Sequence, residues 1–255
     1  MILCIDVGNS HIYGGVFSQE KIITSFRLNS QQGITSDQLG IFLKNVLREN
    51  NINPEKIEKI AIASVVPSID YSLRSACIKY LKLDPFFLKA GTKTGLKIKY
   101  HNPLEVGADR IANAIAAVEQ FPEKNIIIAD LGTASVFCAI TAKKEYLGGA
   151  IFPGLRLSME ALTKNTAKLS AVEIIQPQTL IGRSTTESIQ SGLYYAHVGA
   201  IREFIQKITE AHFKNDAPII IGTGGFSHLF SEEKLFSLII PNLVFYGLLA
   251  ALNKN

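Results

Sequence analysis

Two stretches of this chain, ILCIDVGNSHIYGGVF at the start and IIIADLGTASVFCAI in the middle, share one pattern: an apolar run closing on aspartate, one apolar residue, glycine, a small polar pair, and a second β-type run. Aspartate is a poor strand former, so a strand that ends on it twice asks for a reason beyond folding. Asp6 and Asp130 stand about half a chain apart, far beyond any solenoid period, which predicts the duplication of a whole lobe. The expected fold is α/β, with two similar lobes over residues 1–115 and 116–255 and both aspartate turns at a cleft between them.

The rest of the chain supports such an architecture. At 255 residues it exceeds the usual single-domain size. Residues 1–28 read as an antiparallel meander. SDQLGIFLKNVLREN reads as a helix capped by Ser36 or Asp37, and KIAIASVVP as a buried strand closed by Pro67 with a helix after it. FFLKA and LKIKY read as short strands of the first lobe. An alanine-rich helix begins near Val106 and ends before Pro122. Strand, turn, strand, turn, strand follow through GGAIFPG, then mostly helix from GLRLSMEALTKNT to the HF at 212–213. APIIIGTGGFSHLF returns to strand, turn and helix, and an apolar helix closes the chain.

Hydrophobic residues make up 47% and charged residues 19%, and no apolar run reaches bilayer length, so no membrane is expected as a partner. The first strand lacks the charged start and cleavage site of a signal peptide, which predicts a cytoplasmic protein. The net charge of +4 comes from scattered lysines without a basic run, which argues against nucleic acid. Cys4, Cys77 and Cys138 each sit in apolar surroundings and read as buried, reduced thiols. The five histidines show no metal-ligand spacing.

DVGNS, DLGTAS and GTGGFS each follow an apolar β run. Glycine lets backbone N–H groups approach a phosphate closely, and Ser, Thr and Asn add donors. The carboxylates of Asp6 and Asp130 would repel a bare phosphate, so a bridging cation is implied; Mg²⁺ is usually held by one or two carboxylates together with substrate phosphates. A single such turn is often only an Asx-stabilised hairpin; two copies and a third glycine-rich turn point to nucleotide binding. Neither a Walker A loop nor a dinucleotide fingerprint occurs. The turns resemble the phosphate loops of the acetate kinase, sugar kinase, Hsp70 and actin superfamily.

In YHNPLEVGADRIANAIAA, Asp109 alone reads as a helix cap or first-turn acid. A kinase acting on an alcohol, however, needs a carboxylate to accept the hydroxyl proton, and Gly107 and Ala108 keep the approach to Asp109 open. Arg110 reads either as a surface ion-pair partner or as a fork for a carboxylate or phosphoryl group.

The ordered set DVGNS, SVVP, GADR, DLGTAS, GGAIFPG, GRST and TGG resembles the type III pantothenate kinases over essentially the whole chain. That resemblance implies an actin-like (ribonuclease H-like) fold, a homodimer, and ATP-dependent phosphorylation of pantothenate, the first step of coenzyme A synthesis. It places ATP on Asp6, Val7, Gly8, Asn9, Ser10, His11, Ile12 and Tyr13, with Thr133 as a second phosphate contact. It makes Asp109 the catalytic base within a substrate run of Gly107, Ala108, Asp109 and Arg110, and adds Tyr100 and Thr185 as pantothenate contacts. It assigns Asp130 to a monovalent cation, K⁺ or NH₄⁺, beside Mg²⁺, which Asp6 would hold directly or through water. The chain has Arg183-Ser184-Thr185 and Thr133-Ala134-Ser135 where the family often has Lys-Asn-Thr and Thr-Ala-Thr.

Read from the residues alone, Tyr100 could equally cover a strand edge and Thr185 cap the helix after it. Tyr194 and Tyr195 suit either a core or a dimer interface. Other classes of function remain open: a non-catalytic nucleotide-binding regulator of the same fold, a phosphatase, or another small-molecule kinase such as a sugar kinase.

Overall fold

The computed structural model describes residues 1–214 and 216–255. The chain forms two compact units. The first comprises Met1–Gly95, His101–Glu119 and Leu243–Asn255; the second comprises Leu96–Tyr100 and Gln120–Asn242. The expected boundary at 115/116 lies inside a helix, whereas the units part at that helix's end, and the C-terminal helix joins the first unit.

Unit 1 opens with the antiparallel meander β1 (Ile2–Val7), β2 (His11–Ser18) and β3 (Lys21–Asn29), then α1 (Ser36–Glu49), β4 (Lys59–Ser64), α2 (Pro67–Ala76) and the short β5 (Phe86–Phe87). Its sheet runs β3-β2-β1-β4-β5, with β1 antiparallel to β2 and parallel to β4. Strand alternation divides β1 between two faces. Leu3, Ile5 and Val7 enter a core with Leu39, Leu43 and Leu47 of α1 and Ile69 and Leu73 of α2. The opposite face receives α3 (Ala108–Gln120) and α6 (Leu243–Lys254): Phe245 occupies the space a Cβ on Gly15 would need, and Gly247 lies against the Ala112 backbone. Cys4 and Asp6 belong to this second face.

Thr35, not Ser36 or Asp37, caps α1. Thr35 is extended and its hydroxyl accepts from Gln38 N at 3.2 Å, while Thr35 N donates to Gln38 Oε1 at 2.9 Å, a reciprocal box that satisfies two backbone donors at once. Asp37 instead binds Lys79 Nζ at 2.6 Å and Tyr80 OH at 2.9 Å.

Unit 2 contains β6 (Lys97–Ile98), β7 (Ile126–Leu131), β8 (Ala134–Ile140), β9 (Glu145–Pro153), α4 (Leu155–Asn165), α5 (Thr185–His212), β10 (Ile219–Thr223) and β11 (Leu238–Ile239). Its sheet runs β11-β10-β7-β8-β9-β6. With β6 set aside, the order β9-β8-β7-β10-β11 repeats that of unit 1, with the same antiparallel hairpin and the same parallel return beside it. The duplication read from the two aspartates is therefore a duplication of topology. The stretch LKIKY, expected in the first lobe, instead supplies β6 to this second sheet, parallel to β9.

Residues 166–184, expected within a mostly helical region, have no regular structure. Pro177 interrupts them, and Leu169, Val172 and Ile174 still pack on the unit 2 core. The helix after them starts one residue earlier than a Thr185 cap would require: Ser184 is the cap, accepting from Glu187 N at 3.2 Å. All three cysteines are buried and unpaired by disulfides, and burial pushes the Cys4 and Cys77 thiols up, Cys77 to about 12, which makes them poor nucleophiles. Among the described residues no helix is long and apolar enough to cross a membrane.

Candidate active site

In unit 1, three backbone ends converge. Asp6 is the penultimate residue of β1, and the turn after it closes tightly, with Gly8 N donating to His11 O at 2.9 Å. Ser30, just past β3, ties down the same turn: its Oγ donates to Gly8 O at 2.6 Å and its N to Ser10 O at 2.9 Å. The parallel strand β4 ends alongside, and Val65 N donates to Val7 O at 3.0 Å. The start of α3 closes the group. A Cβ on Gly107 would stand 3.3 Å from Val65 Cγ1 and 2.5 Å from Asp109 Oδ1, so only glycine allows the carboxylate and the SVVP loop this close together. Residues 6–8 and 107–110, separated by about a hundred positions, are thus brought to one place through Val65.

Asp109 lies in the first turn of α3, where its Oδ1 accepts from Arg110 N at 2.7 Å. Capping and catalysis are not exclusive here, since one oxygen serves the helix and the other carries the second lone-pair set. Burial holds the Asp109 carboxyl above the usual range, a shift opposed by the Arg110 N–H and guanidinium charge. Arg110 itself is only 8% exposed, which rules out the loose surface ion pair that its sequence context allowed.

Asp6, Tyr13 and Arg27 are register partners across β1, β2 and β3, so their side chains share a face. The Arg27 guanidinium lies 4.0 Å above the Tyr13 ring, and Phe245 of α6 packs against that ring at 4.6 Å between centroids. Sequence reasoning missed Arg27; the only signal was a position that pairing, not spacing, brings opposite Tyr13.

In unit 2, Asp130 is the penultimate residue of β7, as Asp6 is of β1. Its turn is surrounded by other backbone. Gly224 has a left-handed φ of +84°, and a Cβ there would stand 2.5 Å from Asp130 Oδ1 and 2.7 Å from Leu131 backbone atoms. Phe226 N donates to Leu131 O at 2.9 Å. On the other side Gly154 N donates to Thr133 O at 3.2 Å, and a Cβ on Gly154 would stand 2.5 Å from both Gly132 O and Thr133 O. The DLGTAS, FPG and GTGG turns are therefore one assembly, with the DLGTAS turn between the other two. The TGG motif thereby has a position beside Asp130, and Gly154, the last residue of the GGAIFPG motif, has one beside Gly132 and Thr133.

Tyr100 follows β6 and faces Gly148 and Tyr146 of β9. Thr185 is exposed at the first position of α5. Tyr194 is a core residue, 1% exposed, with its hydroxyl donating to Glu233 Oε1 at 3.0 Å, while Tyr195 beside it is exposed. Among the described residues no group of three or more His, Cys, Asp or Glu side chains could hold a metal by itself. A cation at either aspartate would therefore take its remaining oxygens from backbone, hydroxyls, water or phosphate, which suits hard cations such as Mg²⁺ and K⁺.

The family model for type III pantothenate kinases matches residues 2–207. A type III pantothenate kinase of Legionella pneumophila (strain Corby) is 62% identical over 255 residues, covering 100% of this chain and 99% of the relative. The type III pantothenate kinase 1 of Francisella tularensis subsp. holarctica (strain OSU18) is 50% identical over 248 residues, covering 97% of each. Among solved structures, Porphyromonas gingivalis acetate kinase superposes with a TM-score of 0.55 at 10% identity, covering 99% of this chain and 98% of that one, a likeness of fold alone.

Proposed function

The chain belongs to the family of type III pantothenate kinases, and on that premise we propose how its residues share the ATP-dependent phosphorylation of pantothenate in coenzyme A biosynthesis. The carrying observation is the convergence in unit 1: a donor-rich turn after Asp6 and a half-buried carboxylate at Asp109, joined through Val65.

Residues 6–13 contact ATP, and the turn presents backbone N–H groups and the Asn9 and Ser10 side chains to phosphate oxygens. Thr133 contributes a further phosphate contact from the turn assembly of unit 2. Asp109 accepts the proton of the primary hydroxyl of pantothenate and aims that oxygen at the γ-phosphorus. Its raised pKa strengthens it as a base while leaving it ionised above that value. Gly107 and Ala108 leave room for the alcohol, and Arg110 pairs with the pantothenate carboxylate through its planar fork. Tyr100 and Thr185 complete the pantothenate contacts.

Asp6 offers a carboxylate for Mg²⁺, and Asp130, backed by Gly224, offers one for K⁺ or NH₄⁺. When bound, these ions neutralise charge on the transferring phosphoryl group. Two chains form a homodimer in a cytoplasmic setting; light scattering at twice the chain mass is the expected result.

The direct test incubates purified protein with ATP, Mg²⁺ and K⁺, with and without pantothenate, and measures ADP. Pantothenate-dependent ADP release is expected. Release that ignores pantothenate, as from a phosphatase or from a kinase that instead responds to hexose, overturns the reading, as does no release at all.

A further inference from the structure

The geometry points to the bulged stretch 146–148 of β9 as a platform that positions Tyr100 for pantothenate, an inference that rests on Tyr100 being a pantothenate contact. Between β8 and β9, Ile140 pairs with Tyr146 but Ala139 pairs with Gly148, so Leu147 is an extra residue in the ladder. Bulges bend a strand and re-aim its neighbours. Here the bulge ends on Gly148, whose φ of +125° is closed to residues with side chains.

Three parts of the platform meet the tyrosine. Gly148 is the floor: a Cβ there would stand 3.2 Å from Tyr100 Cε2 and 3.5 Å from Cδ2, so the ring lies on the bare backbone. Tyr146 is the wall: fully buried, its ring sits 6.4 Å from that of Tyr100 at 48°. Cys138 is the pin behind the wall, with its Sγ 3.2 Å from the Tyr146 hydroxyl.

The backbone leading to Tyr100 is also tied to β9. Lys97 N donates to Lys144 O and Lys99 N to Tyr146 O, both at 2.9 Å, and Lys99 Nζ pairs with Glu145 at 3.3 Å. β6 is only two residues long, so without this bed an aromatic side chain past its end would exchange rotamers freely. A ring already ordered loses less freedom when substrate arrives, and the gain falls on binding rather than on chemistry.

The test is a double-mutant cycle on pantothenate KM and kcat, using Gly148→Ala, Tyr100→Ala and the pair. Gly148→Ala is expected to raise KM about tenfold with kcat within about twofold, the signature of lost uniform binding. In the Tyr100→Ala background the same substitution is expected to add nothing. If the Gly148→Ala effect persists undiminished there, or if folded Gly148→Ala keeps the parent KM, the platform is overturned.

Should Gly148→Ala fail to fold because of its φ, Tyr146→Leu takes its place in the cycle, and Tyr146→Phe, which keeps the ring, is expected to restore most of the affinity. Equal losses in Tyr146→Leu and Tyr146→Phe would overturn the wall. If Tyr100→Ala leaves pantothenate KM unchanged, the assignment of Tyr100 itself fails and the platform with it. A KM change at Tyr100 alone removes only the platform.

Discussion

The turns after Asp6 and Asp130 come from one duplicated pattern, yet the molecule treats them differently. The Asp6 turn is closed by its own hairpin and by Ser30, and a Cβ on Gly8 would meet nothing nearer than His11 O at 3.4 Å, an ordinary contact. The Asp130 turn is enclosed by Gly224 and Gly154, each in contact with its backbone closer than any side chain permits. Copies of one motif have thus diverged into an open turn beside the Asp109 carboxylate, the proposed base, and a packed turn held by two other loops. Mutations should separate them, because the first is sensitive in its chemistry and the second in its packing.

The largest effect belongs to the feature only the open turn has beside it. Asp109→Asn keeps the side-chain oxygen that receives Arg110 N but removes the base, so kcat should fall about 10³-fold with ATP binding largely retained, within the ~10²–10⁴ that general-base catalysis supplies. Near-normal turnover would sink the assignment. The pH dependence gives an independent check. With its pKa raised, Asp109 keeps its proton to higher pH than an ordinary aspartate, so the acid limb of kcat/KM should lie above the usual carboxylate range. Stability runs the opposite way: the contribution of this residue is full below the unfolded carboxyl pKa and is lost as pH rises through the folded one.

Next come the paired aspartates. Asp6→Asn and Asp130→Asn should each cost about 10²-fold in kcat, the size of a lost electrostatic contact at a phosphoryl group. They should differ in which ion they make limiting: the first should shift the Mg²⁺ requirement, the second the response to K⁺ or NH₄⁺. Identical ion profiles for the two variants would remove the division of labour.

How much of this was readable beforehand follows from the range of the forces involved. Asp6 and Asp130 stood out because a carboxylate at a strand end is a local anomaly repeated once; it announced a repeated lobe, while the strand order the two units share came from the structure. The SVVP and GADR stretches were visible separately, but their meeting through Val65 and Gly107 is a long-range contact with no local signature. The same holds for β6 crossing to the second sheet and for α6 returning to the first unit, where hydrophobicity announced a buried helix but not its partner. Thr35 was passed over because Ser36 and Asp37 have equal capping propensity; the glutamine three residues on decides between them by geometry. Gly154 and Gly224 matter for what touches them, which composition does not record.

Packing supplies the third prediction. Gly224→Ala adds a methyl into a 2.5 Å gap against Asp130 Oδ1 and demands a left-handed φ from alanine. Overpacking and the backbone penalty together should cost about 3 kcal/mol, read from the midpoint of urea unfolding. Gly154→Ala should behave similarly by displacing Gly132 O and Thr133 O. If both fold with parental stability, the enclosed turn is not held by these loops.

Gly8→Ala is the smallest change and the sharpest test of the contrast. The space around Gly8 accepts a methyl and its φ is not left-handed, so unfolding stability should move by less than about 1 kcal/mol. The methyl would nevertheless stand on the turn proposed to bring N–H groups to phosphate oxygens, where a displacement of a few tenths of an ångström weakens several hydrogen bonds at once. ATP KM should therefore rise several-fold in a protein as stable as the parent, the reverse of what Gly224→Ala does. A Gly8→Ala variant that loses stability but keeps its ATP KM would show that the open turn, like the enclosed one, is built for packing.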